Sequence, residues 1–82
     1  MKPLPRLSLR EVSVLLHLES GASYKHIALA LERHPRIVER HVARIARKLP
    51  GNGNPKEKVM LYCDRLLAAN ADVVEQVRQA AA

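Results

Sequence analysis

Aromatic side chains are almost missing from this chain, which has no Trp, no Phe and only 2 Tyr. Readers of single-stranded nucleic acid stack bases on exposed rings, so stacking cannot be the main binding mode here, which counts against RRM-like and OB-type readers. Cysteine is nearly absent too. Cys63 stands alone, cannot close an internal disulfide, and fits the reducing cytoplasm expected for the chain. No apolar run approaches the roughly 18 residues of a membrane span. The opening Met1–Arg6 lacks the apolar stretch of a secretory signal. There is no period-two strand pattern, no internal repeat and no Gly-rich loop to cradle a nucleotide. No nucleophile, base and acid form a set, so an enzyme is not expected and neither is a cofactor. His17, His26, His34 and His41 lack spaced Cys/His partners, so no metal site is expected.

What is present is a chain of 82 residues, 48% hydrophobic and 27% charged. That is a globular composition with room for one domain. Its net charge of +6 calls for a polyanionic partner. The charge is concentrated. Residues 1–49 carry ten Lys and Arg against four acids, whereas residues 50–82 carry four of each sign. The expected layout is an N-terminal arm and polyanion-binding core over 1–54, and a C-terminal helix over 55–82 for packing and dimerisation.

Four helices are predicted, giving an all-α fold. Ser8 caps the first, with Glu11 completing a capping box, and Ser20-Gly21 ends it. Ser23 caps a short second helix. Pro35 opens the third, which runs to Leu49 before the break Pro50-Gly51-Asn52-Gly53-Asn54. His34 is placed to cap that helix. Pro55 opens a fourth helix that continues to the C-terminus.

The third helix has two chemically distinct sides. At about 100° per residue, Val38, Val42, Ile45 and Leu49 fall within about 60° of one another and form a core face. Arg36, Arg40 and Arg47 cluster on the opposite side, flanked by Glu39 and Arg44, with Ala43 beside them. Arginine forks match phosphate oxygens and the O6/N7 edge of guanine, and a small residue such as Ala43 lets the backbone approach the bases. A charged outer face is ordinarily just solvated. Here Glu39 is the only acid among six cations from Arg33 to Lys48, which favours an external counter-charge. The predicted base readers are Arg36, Glu39, Arg40, Ala43 and Arg44. The predicted phosphate contacts are Ser23, Tyr24, Lys25, Arg33, Arg47 and Lys48.

The blocks Leu7-Ser8-Leu9-Arg10-Glu11-Val12, Gly21-Ala22-Ser23-Tyr24-Lys25-His26-Ile27-Ala28 and Val38-Glu39-Arg40-His41-Val42-Ala43-Arg44-Ile45-Ala46-Arg47-Lys48-Leu49 resemble the LuxR/GerE-type helix-turn-helix over about residues 7–67. The resemblance implies a four-helix DNA-binding domain whose second and third helices form the motif and whose fourth commonly dimerises. It implies base reading at Glu39, Arg40 and Ala43, and phosphate contacts near Ser23, Lys25, Arg36 and Lys48. One departure lies in the turn. Glu32 and Arg33 stand where the family has Gly and an apolar residue, so a left-handed Glu32 would cost on the order of 1 kcal/mol. No sensory module accompanies these motifs, so no small-molecule ligand is expected.

In the neutral tail, Val59, Cys63, Leu66, Asn70, Val73, Val77 and Ala80 recur with a 4-3-4-3-4-3 spacing. That is a heptad seam with Asn70 at an a-like position, so homodimerisation is expected through Val59, Cys63, Leu66, Asn70, Val73 and Val77; the alternative is that part of it, Val59, Tyr62 and Leu66, covers the domain's own core. The expected function is a double-stranded DNA-binding transcriptional regulator, repressing by occlusion as a homodimer on a palindromic operator. The alternative is a protein-interaction module, an anti-activator or partner subunit, using the same fold. A membrane-surface role is disfavoured, because the basic helix has no interfacial aromatics.

Overall fold

A computed structural model describes residues 3–81; Lys2, counted above in the basic half, lies outside the described residues. Five α-helices follow in order: α1 (Leu9–Glu19), α2 (Tyr24–Leu31), α3 (Pro35–Arg47), α4 (Pro55–Ala69) and α5 (Ala71–Ala81). No strand occurs among the described residues, and no helix there is long and apolar enough to cross a membrane.

Local chemistry sets most of the helix ends. The Ser8 hydroxyl accepts from the Glu11 backbone N–H (3.1 Å), while a Glu11 carboxylate oxygen accepts from the Ser8 backbone N–H (2.9 Å). The expected capping box is therefore complete. α1 ends in a Schellman arrangement, with Gly21 at φ 89°, the Gly21 N–H bonded to Leu18 O and the Ala22 N–H to Leu18's neighbour one residue back, His17 O. α2 ends the same way on a residue that is not glycine. Glu32 sits at φ 55°, ψ 45°, with Glu32 N–H to Leu29 O and Arg33 N–H to Ala28 O. The turn before α3 is therefore a tight left-handed one, at the cost of a strained Glu32.

α1 is the hub of the core and packs against each of the other four helices. Val12, Val14, Leu15 and Leu18 of α1 meet Ile27 and Ala28 of α2, Val38, Val42, Ile45 and Ala46 of α3, and Val59, Cys63 and Leu66 of α4, all buried.

The tail departs from the single helix expected. It breaks at Asn70 (φ −119°, ψ 33°), and α5 folds back to pack on α1 and α4. The cause is the Asn70 side chain, which is fully buried. Its Oδ1 accepts from the Leu7 N–H at 2.9 Å, and its Nδ2 donates to Pro5 O at 3.1 Å and Leu66 O at 2.9 Å. One amide thereby ties the N-terminal arm to the α4–α5 corner. An exposed Arg6–Asp72 pair (2.9 and 2.7 Å) lies alongside. Within this chain the residues of the expected seam face the core: Val59, Cys63, Leu66, Asn70 and Val73 are buried, and Val77 packs against the same core. Heptad spacing specifies a helix side that must be covered; here the cover is α1.

Candidate nucleic-acid interface

α3 is held by its apolar side and by both of its ends. Val38, Val42 and Ile45 are completely buried. At its start, His34 Nδ1 accepts from the Arg36 backbone N–H (3.1 Å), and Pro35 occupies the first turn. The cap expected from His34 is present. At its end, Lys48 Nζ reaches both carboxylate oxygens of Glu11 at 3.3 Å. Glu11 is buried. Burial, the largest influence, pushes its carboxyl upward, but the Ser8 N–H and the Lys48 ammonium outweigh it and hold the group below its ordinary value. One buried carboxylate therefore joins the α1 capping box to the end of α3. Lys48, expected at a phosphate, has this internal role in the structure.

The outward side of α3 carries the predicted readers. Arg36, Glu39, Arg40, Arg44 and Arg47 are exposed and Ala43 is half-buried. The two ion pairs among the described residues are Arg6–Asp72 and Lys48–Glu11, so none of these four arginines is neutralised by the chain itself. His41 is half-buried beside them, and its Nδ1 has no hydrogen-bond partner. Burial above all, with Arg44, Arg10 and Arg40 opposing Glu11, holds its imidazole below the ordinary range. It adds no cation to the face at neutral pH.

The start of α2 lies beside this face. Ser23 caps the helix, its hydroxyl accepting from the His26 N–H (3.2 Å) and meeting His26 Nδ1 at 2.9 Å. Lys25 is exposed in the first turn. Tyr24 is half-buried against the core; burial and the nearby Glu39 carboxylate raise its phenol. α2 packs against α3. Lys56, from the first turn of α4, rests its ammonium 5.4 Å from the centre of the Tyr24 ring. This cation was missed by sequence reasoning because its own segment is electrically neutral; no local signal marks it. Arg33, expected at a phosphate, is exposed and lines a shallow groove with Arg10, Leu9 and Val77.

A helix buried on one side, bearing four unpaired arginines on the other and entered through a tight turn from a preceding helix, is the arrangement of a helix-turn-helix reader. Residues 5–60 match the bacterial regulatory proteins of the luxR family (GerE). This chain belongs to that family. The matched stretch runs from the arm through α1, α2 and α3 into the first turns of α4, so the rest of α4 and all of α5 lie beyond it. LuxR-family domains are DNA-binding transcription regulators built on a helix-turn-helix, and this fold agrees with that type. No curated protein and no solved structure matches the chain.

Proposed function

We propose that this LuxR-family chain binds double-stranded DNA sequence-specifically and represses transcription by occupying a palindromic promoter site as a homodimer. The observation that carries the reading is the α3 face: Arg36, Arg40, Arg44 and Arg47 all exposed and unpaired by the chain's own carboxylates. Four like charges with no internal counter-charge favour an external anion, and the helix's buried side fixes which direction they face. Arg36, Glu39, Arg40, Ala43 and Arg44 read base edges. Ser23, Tyr24, Lys25 and Arg47 contact the backbone, joined by Lys56.

One such helix spans too few base pairs for a tight specific site, so a second copy is needed. The Val59–Val77 stripe is occupied by the core, which leaves the outer side of α4, where Leu61 is 74% exposed and Met60 lies beside it. Two copies pairing there present two α3 helices to half-sites related by a two-fold axis.

The test is selection of bound sites from a random duplex pool, followed by titration against salt. With about six phosphate contacts, the log–log slope should be near −5. Arg40→Ala should cost about 1–3 kcal/mol on the selected site and far less on random duplex, whereas Arg47→Ala should weaken both alike. Leu61→Lys should give a monomer in sedimentation. A palindrome failing to emerge, or a slope near zero, rejects the proposal.

A further inference from the structure

Arg33, expected among the phosphate contacts and standing where the family's turn has an apolar residue, lines a groove of its own in the fold. The end of α2, the start of α1 and the last turns of α5 enclose a shallow groove of about 410 Å³. Leu9, Leu31 and Val77 supply its apolar lining, and Arg10 and Arg33 are its two cations. Leu9 is 53% exposed despite its place in the first turn of α1. Both arginines are exposed, and neither pairs with a carboxylate among the described residues. A larger groove, about 630 Å³, lies by Pro3, Leu49 and Tyr62, but its cations are already engaged. Lys48 holds Glu11, and Arg65 lies 4.6 Å from the centre of the Tyr62 ring.

We propose that the groove between α1, the α2–α3 turn and α5 docks an acidic, amphipathic peptide segment of a partner protein. Carboxylates of the segment pair with Arg10 and Arg33, and one aliphatic side chain enters between Leu9, Leu31 and Val77. Charge complementarity selects the acid, since two unpaired guanidinium forks suit carboxylates bidentately. The aliphatic wall favours a peptide, whose leucine-sized side chain can fill it, over a phosphate group, which has no apolar surface to offer. One wall belongs to α5, beyond the stretch matched to the family.

The probe is a short helical peptide with one leucine flanked by glutamates on one face, labelled for fluorescence anisotropy at about 0.15 M salt. Companion peptides replace the leucine by alanine or the glutamates by glutamine. The parent peptide should bind saturably. Each peptide change, the double variant Arg10→Gln/Arg33→Gln, and the exposed Ala80→Glu should each weaken binding about tenfold or more, the worth of one charge-assisted contact. Arg40→Gln should leave peptide binding unchanged while lowering duplex affinity. Duplex affinity measured on the same variants separates this site from the DNA reading. Three outcomes overturn the proposal: no saturable binding of the peptide, indifference to the leucine (which would show mere attraction to a basic chain), or an Arg10→Gln/Arg33→Gln loss in duplex affinity as large as that of Arg40→Gln.

Discussion

Replacing Asn70 by alanine distinguishes a residue that ties one chain together from one that registers two. In the structure its amide makes three hydrogen bonds, to the Leu7 N–H, Pro5 O and Leu66 O. Alanine leaves the buried Leu7 N–H without a partner, costing about 1–3 kcal/mol for that group alone. Leu66 O keeps its bond from the Asn70 position's own N–H, and the Pro5 O bond is only part-buried, so the remaining bonds add about 1 kcal/mol. The total is about 2–4 kcal/mol, a large share of the stability of a domain this small. Thermal unfolding followed by circular dichroism should show Tm falling by roughly 10–25 °C. Amide exchange at Leu7 should accelerate more than at Val42. An asparagine at a coiled-coil a position behaves oppositely: it costs stability, and an aliphatic replacement raises it while loosening oligomer choice. An Asn70→Leu protein that is more stable, with Tm rising with concentration, would refute the intramolecular account.

Three further outcomes follow from particular contacts. Glu32→Gly should stabilise by about 0.5–1 kcal/mol in urea titration, because relief of the left-handed strain exceeds the added freedom of the unfolded chain. Glu11 is held below its ordinary value of 4.5, so its contribution is complete above that pH and is lost as pH falls through the lower folded value. Glu11→Gln should therefore cost about 1–3 kcal/mol at pH 7, with the two proteins' Tm values converging on acidification below 4.5; a constant gap would show that the carboxylate charge is irrelevant. Cys63 is buried, and burial first, then Glu19 and Asp64, push its thiol up to about 11. Its reaction with a thiol reagent at pH 8 should track global unfolding, and rapid modification of the native protein would contradict its place in the core.

Much of the helical architecture is written locally. Ser8, Ser23, His34 and Pro35 mark helix starts by what their own side chains or rings do within three residues, so those starts are readable without a fold. The two sides of α3 are equally local, because the helical period places Val38, Val42 and Ile45 opposite Arg36, Arg40 and Arg47 whatever surrounds them. Even the strain at Glu32 could be anticipated from a non-glycine at the turn. The tertiary structure decided what covers each apolar stripe and which charges remain free. The spacing from Val59 to Val77 is the same for a seam between chains and for a helix pair closing on its own core; only α1, from the other end of the sequence, resolves it. The same holds for Lys48 and Glu11, 37 residues apart, for Lys56 over Tyr24, and for Arg33 beside Val77. A periodic pattern records that a surface must be buried or a charge answered, but the partner is set by the path of the chain through space.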